Sequence, residues 1–161
     1  MGIYRTAQIC LNGHSTTSSI DEYPELGEKY CSKCGVETIS ECPTCQNNIR
    51  GYYHVEGVYG GSEYSPPNFC HACGNLFPWT ASKVDSAKEL ADELEELNAE
   101  ERETLKVTIS DLLTDSPKTE VAAVRYKKLA KKLGTGASSA LRSILVDVAS
   151  EAAKKALFGD N

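Results

Sequence analysis

The sequence predicts an α+β protein in which a small metal-stabilised β module precedes a bundle of about four helices. Two observations support this prediction. All seven cysteines lie between Cys10 and Cys73, and the last 88 residues contain none. From residue 81 onward, the apolar residues repeat with the period of an α-helix. We therefore expect two domains, residues 1–80 and residues 81–161.

The cysteines fall into pairs that have the spacing of metal ligands. Three pairs are Cys-x-x-Cys, and a fourth pair is formed by Cys10 and His14. A tight turn of this kind directs two ligands at one ion, and two such turns complete a tetrahedral site. Seven thiols and one imidazole therefore predict two structural zinc ions per chain. The eight expected ligands are Cys10, His14, Cys31, Cys34, Cys42, Cys45, Cys70 and Cys73.

Disulfide bonds and a redox-active Cys-x-x-Cys are the alternatives to zinc. Disulfides need an oxidising compartment, and the N-terminal residues lack the apolar segment of a secretory signal. A redox motif is expected once, near a βαβ pattern, rather than three times. Gly35 and Gly74 directly follow two of the pairs, where glycine allows the turn a positive φ. The pattern therefore favours zinc.

Two ways of sharing the ions between the four pairs stay open. Sequential sharing joins the first pair to the second and the third to the fourth, as in two tandem zinc ribbons. Cross-braced sharing joins the first pair to the third, as in RING-type domains, which usually leave only a few residues between the middle pairs. Here seven residues separate Cys34 from Cys42. Because Tyr30–Gly35 and Phe69–Gly74 also look alike, we favour sequential sharing and a double zinc ribbon.

The region between the third and fourth pairs predicts a strand and a flexible tip. Residues 49–55 are β-branched or aromatic with one glycine, which is typical of a strand. The glycine-rich residues 56–62 then predict the tip of a ribbon hairpin. We expect His54 on the strand surface and His71 facing away from an ion that cysteines already serve. The nearby tyrosines are expected to pack over the metal, since a nucleic-acid stacking platform would need more basic residues than Arg50.

Capping signals divide the second half into four helices. Ser86–Glu89 and Asn98–Glu101 match capping boxes and start the first two helices. Ser116 is the expected N-cap of the third helix, with Pro117 at its first position. Gly136 is the expected hinge before the fourth helix, which runs almost to the C-terminus.

Charge is distributed unevenly over these helices. Residues 83–115 hold 4 basic and 11 acidic residues, a net −7, whereas residues 116–161 hold 9 basic and 4 acidic residues, a net +5. The basic residues of 125–132 cover more than half the circumference of the third helix. They are expected to form a solvated face, or to bind the acidic first helix, RNA or a lipid head group.

The fourth helix is the most apolar of the four. We expect it to pack in the core of the helical half, to drive self-association or to dock a protein partner through an apolar stripe, and contact with a membrane surface is a weaker alternative. The chain has no run of 18 uncharged apolar residues, so no transmembrane helix is expected. The stripe consists of Leu141, Ile144, Leu145 and Val148.

Several of these motifs together resemble those of a family of uncharacterised bacterial proteins, whose members have an N-terminal zinc-ribbon region and a helical tail. The resemblance covers most of the chain. It implies a bacterial, cytoplasmic origin and the eight zinc ligands, and it carries no activity. The matching motifs are Gln8–His14, Tyr30–Gly35, Cys42–Cys45 with Ile49–Gly51, Cys70–Gly74 followed by Pro78-Trp79, and Thr114–Ala123.

The sequence shows no catalytic constellation. Catalytic zinc needs an open coordination position, whereas eight ligands fill two sites. We therefore expect a non-catalytic interaction or adaptor protein that binds a protein partner or itself through its helical half. A nucleic-acid- or ribosome-associated protein that uses the basic third helix is the alternative. A membrane-surface effector acting through the last helix is a weaker one.

Overall fold

The computed structural model describes residues 1–61 and 63–159, and the chain divides into two compact units between Ser82 and Lys83. Short antiparallel strands make up the first unit and helices the second, so the predicted α+β class is confirmed. The last two residues of the predicted helical domain lie outside the described residues. No helix in the described part of the chain has the length and apolar character needed to cross a membrane.

The first unit contains two small sheets. β1 and β5 form a two-stranded antiparallel sheet in which Tyr4 lies opposite Tyr53. β2 is the central strand of the other sheet and pairs with β3 and β4. The strands in the described part of this unit are β1 (Ile3–Thr6), β2 (Gln8–Cys10), β3 (Ser15–Thr17), β4 (Thr38–Ile39) and β5 (Arg50–His54), and a 3₁₀ turn covers Pro24–Leu26.

The partner of β5 differs from the one we expected. The sequence predicts a hairpin that turns back at residues 56–62, but β5 pairs with the N-terminal strand β1 instead. Within residues 55–61 and 63–77 the structure has no further strand, and Ser62 of the expected tip lies outside the described residues. The pairing is long-range, and the periodicity of a single segment cannot show it.

One apolar core holds the first unit together. It includes Ile9 from β2, Ile49 directly before β5, and the stacked rings of Phe77 and Trp79, whose centroids are 4.6 Å apart. The indole N–H of Trp79 donates to the carbonyl of Pro67 at 2.9 Å, so its polar atom is satisfied while its ring is buried. Cys42 and Cys70 belong to the same core.

The first long helix begins earlier than the sequence suggests. The prediction places its start at Ser86, but α1 covers Pro78–Asp92. Proline has no N–H and is preset for the first helical position. The carbonyl of Phe77 accepts the N–H groups of Thr80 and Ala81, which starts the helix. The predicted domain boundary at residue 80 therefore falls inside α1.

The second and third helices follow their predicted signals with one shift. α2 covers Ala99–Asp111, and the capping box at Asn98 is confirmed, since its side chain accepts the N–H of Glu101 at 2.9 Å. α3 covers Thr119–Ala130 and begins two residues later than predicted. Ser116 does cap the preceding turn, because its hydroxyl accepts the N–H of Lys118 at 3.2 Å.

The predicted fourth helix is two helices, which corrects the expected total of about four to five in the described residues. α4 covers Thr135–Val148 and α5 covers Glu151–Phe158. Between them Ala149 is extended, and Ser150 donates its N–H to the carbonyl of Leu112 at 2.9 Å while capping α5. Gly136 is no hinge, since it lies in the first turn of α4.

The predicted partner-binding stripe is part of the protein's own core. Leu141, Leu145 and Val148 are fully buried, and Ile144 is half-buried. The prediction that this stripe is exposed to a partner is therefore wrong, and core packing is the alternative that the structure shows. The prediction counted too few helices to cover this face, whereas the chain folds into five. In the second unit, α2 packs on α3 and α3 packs on α5.

Candidate metal centres

Three Cys-x-x-Cys segments adopt the same turn. In each, the N–H of the residue four positions after the first cysteine donates to that cysteine's carbonyl. These bonds join Gly35 to Cys31 at 2.7 Å, Gln46 to Cys42 at 2.9 Å and Gly74 to Cys70 at 2.9 Å. A short β-bridge closes each turn, so the two sulfurs are held on one side of a rigid loop.

The residue after each second cysteine has a positive φ. Gly35 and Gly74 have φ values of 75° and 74°, and Gln46 has a φ of 60°. Gln46 is the only non-glycine residue with this conformation in the described part of the chain. The prediction from sequence missed it. Aligning the three Cys-x-x-Cys turns, or knuckles, would have placed Gln46 where the other two have glycine.

Cys10 and His14 form a fourth, longer turn. The N–H of Cys10 donates to the carbonyl of His14 at 2.9 Å, and the N–H of Gly13 donates to the carbonyl of Cys10 at 2.8 Å. Gly13 has a φ of 91°, and a Cβ there would meet the Cβ of Trp79 at 3.0 Å. The backbone therefore needs glycine at this position, and the turn points His14 towards the sulfur of Cys10.

The first cluster joins the first two pairs of the sequence. The Nδ1 atom of His14 lies 3.5 Å from the Sγ of Cys10 and 3.7 Å from the Sγ of Cys31. The Sγ atoms of Cys10 and Cys34 are 3.7 Å apart. All four ligand atoms lie within 4.8 Å of one another.

The second cluster joins the last two pairs. The Sγ atoms of Cys42 and Cys73 are 3.8 Å apart, and those of Cys45 and Cys70 are 3.7 Å apart. These four atoms also lie within 4.8 Å of one another. The structure therefore groups the eight predicted ligands sequentially, which is the arrangement that the spacing favours, and His54 and His71 belong to neither group.

The distances within both clusters fit a tetrahedral metal ion. With metal–sulfur bonds of about 2.3 Å, the sulfurs of a tetrahedron are about 3.8 Å apart. A disulfide would need about 2.05 Å between its sulfur atoms. The observed separations of 3.7 and 3.8 Å match the metal tetrahedron and exclude a disulfide between the same atoms. Both groups are consistent with structural zinc ions.

Comparison with known families covers almost the whole chain. A family described as an uncharacterized protein conserved in bacteria, DUF2321, matches residues 3–157. The chain belongs to the DUF2321 family. The match includes all eight cluster residues and nearly all of the helical unit, and the family resemblance inferred from the motifs is confirmed. No curated protein and no solved structure matches the chain.

In this DUF2321 protein, backbone N–H groups prepare two of the thiols to bind a cation. A hydrogen bond from the Val36 N–H lowers the pKa of Cys34 to about 6. The backbone N–H and the side-chain amide of Asn47 lower the pKa of Cys45 to about 6. Both thiols are therefore mostly ionised at neutral pH, and thiolate is the form that binds metal.

Burial divides the ligands into an inner and an outer set. Cys10, Cys31, Cys42 and Cys70 are buried, whereas Cys34 and Cys73 are exposed. Each cluster is thus anchored in the fold by the first cysteine of each of its two pairs. Its last cysteine reaches the surface. Side-chain amides support the outer sulfurs of the second cluster, since Asn47 donates to the Sγ of Cys45 and Asn75 donates to the Sγ of Cys73, both at 3.5 Å.

Proposed function

We propose that this DUF2321 protein is a non-catalytic interaction protein. In this proposal two structural zinc ions hold the first unit, and the helical unit binds a protein partner in the cytoplasm. The observation that supports a structural role is the completeness of each cluster. Four protein ligands occupy a tetrahedral ion fully, so no position remains for water or substrate.

The chemistry of the ligands supports zinc as the metal. One cluster offers three thiols and an imidazole, and the other offers four thiols. Tetrahedral sets of this kind are typical of structural zinc. Zinc bound there would supply binding energy that is also folding energy for a unit with short strands and a small core. The reducing cytoplasm is the compartment in which such thiols stay available to metal.

The buried stripe of α4 leaves α3 as the best candidate for the partner surface. The outer face of α3 carries two exposed valines, Val121 and Val124, whose exposed fractions are 50% and 66%. Arg125 and Lys128 lie four residues further along the same face. The side of α3 that faces the core is formed by Ala122, Ala123, Tyr126 and Leu129.

The mixture of apolar and basic residues supports an acidic protein as the partner. A surface that only binds phosphates needs cations and gains nothing from exposed valines. A protein helix with an apolar stripe between acidic residues would cover the valines and neutralise the cations. Arg125, Lys127 and Lys131 have no ion pair within the described residues, so their charges are available to such a partner.

Substitutions of exposed valines on α3 and α2 test this proposal. We expect Val124→Asp to abolish recovery of a specific protein partner by the full-length chain in its native cell. Val107→Asp is the matched control, because Val107 is 56% exposed but lies on α2. Equal recovery with both variants would contradict the proposed surface. Recovery of nucleic acid that falls steeply with salt would favour the nucleic-acid alternative instead.

A further inference from the structure

A pocket of about 540 Å³ opens in the first unit at the end of β5, and none of the eight cluster ligands lines it. Four tyrosines and two carboxylates contribute to its wall, whereas no lysine or arginine of the described residues does. The residues that matter for its chemistry are Tyr23, Tyr52, Tyr53, Tyr59, Glu22 and Glu56.

The tyrosine rings of this pocket are accessible from solvent. Tyr59 is 96% exposed, Tyr53 is 53% exposed and Tyr23 is 45% exposed. A group of exposed aromatic rings is typical of a binding site, and the core of the unit lies elsewhere, around Phe77 and Trp79. The faces of aromatic rings carry negative charge and attract cations.

The carboxylates of the pocket differ in the charge they offer. Glu22 is 3.1 Å from the guanidinium of Arg5 and accepts a hydrogen bond from the Tyr52 hydroxyl at 3.2 Å. Its charge is therefore balanced, and it mainly orients Tyr52, whose hydroxyl also lies 3.3 Å from the Nδ1 of His54. Glu56 is exposed and has no ion pair within the described residues, so it gives the pocket its net negative charge.

The same sheet already binds a cation on an aromatic ring. The guanidinium of Arg50 lies 4.4 Å from the ring centroid of Tyr4, and Tyr4 contacts Tyr53 with 4.8 Å between the centroids. The ring of Tyr53 packs over Gly2 and Tyr4, so this aromatic pair lies beside the pocket wall. The pocket presents further tyrosines beside a carboxylate, and the cation nearest to its wall, Arg5, is already paired with Glu22.

We infer that this pocket binds an organic ammonium ion. The ligand chemistry is a positively charged nitrogen that carries methyl or methylene groups, which suits both the ring faces and Glu56. A free methylated amine and the lysine side chain of a peptide share this chemistry. The inference concerns the first unit only and does not depend on the partner surface of α3.

Titration of the zinc-loaded full chain, followed by amide NMR, tests the inference. The probes are choline, its uncharged isostere 3,3-dimethylbutan-1-ol, and an acetylated lysine amide. We expect saturable shifts at residues 22–23 and 52–61 with choline or the lysine amide, and none with the uncharged isostere. Tighter binding of choline would identify a free amine as the source, and tighter binding of the lysine amide would identify a peptide. Equal shifts with the isostere, or no saturable shift with either cation, would overturn the inference.

Matched variants then locate the binding site. Tyr59→Ala should weaken binding of the better cation about three- to thirtyfold, which is the range for one cation–π contact. Tyr30→Ala is the control for loss of an exposed tyrosine, since Tyr30 is 56% exposed and lies outside the pocket. Glu56→Gln should also weaken binding, whereas Glu63→Gln removes the same charge outside the pocket. Equal effects of variant and control in either pair would overturn the assignment.

Discussion

Gln46 holds a backbone conformation that costs free energy for any residue with a Cβ. Its φ is 60°, and the equivalent residues of the other two knuckles are glycines. An L-residue in this left-handed region is destabilised by roughly 1–2 kcal/mol. Its side-chain hydrogen bond within the same turn is weak, since the amide reaches the carbonyl of Pro43 at 3.4 Å. The turn of Cys42–Cys45 is therefore the most strained of the three.

Replacing Gln46 by glycine should stabilise the zinc-loaded protein. Release of the left-handed conformation is favourable, and the larger freedom of glycine in the unfolded chain removes about 0.4–1 kcal/mol of the gain. We expect Gln46→Gly to raise the free energy of unfolding by about 0.5–1 kcal/mol, measured by chemical denaturation. Gln46→Ala is the control, because alanine keeps the Cβ and the strain. The same stability for both variants would contradict this account of the knuckle.

Gly51 is subject to a second backbone constraint, the lack of space for a Cβ atom, which only the structure reveals. A Cβ at Gly51 would lie 1.9 Å from the carbonyl oxygen of Ser18 and 3.1 Å from that of Arg5. The N–H of Tyr52 also donates to the Ser18 carbonyl at 3.2 Å. From sequence, Gly51 is a weak point within a predicted strand. In the fold it allows β5 to lie against the backbone of residues far away in the chain.

Among the helices, one ion pair joins α2 to the segment after α3. The ammonium of Lys132 contacts the carboxylate of Glu101, which also accepts the N–H of Asn98 in the capping box. The Lys132 hydrogen bond, followed by the Asn98 N–H, holds the pKa of Glu101 below its usual range. Lys132 is exposed and Glu101 is half-buried near the surface, so the effect of the pair is expected to be modest and sensitive to salt.

The pH dependence of this pair follows from the direction of the pKa shift. A lowered pKa means that the pair stabilises the fold above the ordinary pKa of glutamate, about 4.3, and that this stabilisation is lost as the pH falls through the lowered value. In an NMR titration of the side-chain carboxyl groups, Lys132→Gln should raise the pKa of Glu101. Lys131→Gln, which removes the same charge from an exposed neighbour, should leave it almost unchanged. Equal pKa shifts of Glu101 in both variants would contradict a specific pair, because Lys132 would then act only through the overall charge of the protein.

The helices also show which features can be read from a sequence. The capping box at Asn98 is local, since Asn98 and Glu101 satisfy each other within one turn, and it was predicted correctly. The break between α4 and α5 is not local. It depends on the hydrogen bond from Ser150 to the carbonyl of Leu112, which is far away in the sequence. The early start of α1 is local, since it combines Pro78 with the carbonyl of the preceding residue Phe77, but the prediction missed it.

For the molecule as a whole, the two metal clusters belong to one folded unit. Cys10 of the first cluster ends β2, directly after the core residue Ile9, and Cys42 and Cys70 of the second cluster belong to that same core. The pairing of β1 with β5 connects the N-terminus to the segment between the last two knuckles. We therefore expect the loss of either ion to weaken the whole first unit, although each cluster uses its own four ligands.

The grouping of the ligands was accessible from the sequence because each turn is local. A Cys-x-x-Cys turn fixes two sulfurs within a few residues, and seven residues between Cys34 and Cys42 leave room for sequential units. The common core was not accessible, because it depends on long-range contacts of Ile9 and Trp79. The buried stripe of α4 was misjudged for the same reason, since covering Leu141 and Leu145 requires the tertiary arrangement.

The zinc content of the intact chain tests the central claim most directly. Native mass spectrometry should be applied to full-length protein that has never been exposed to a chelator. The account predicts two zinc ions per chain, with all seven cysteines free of disulfides. A mass that shows fewer than two ions, a different metal, or disulfide bonds in place of metal would contradict it.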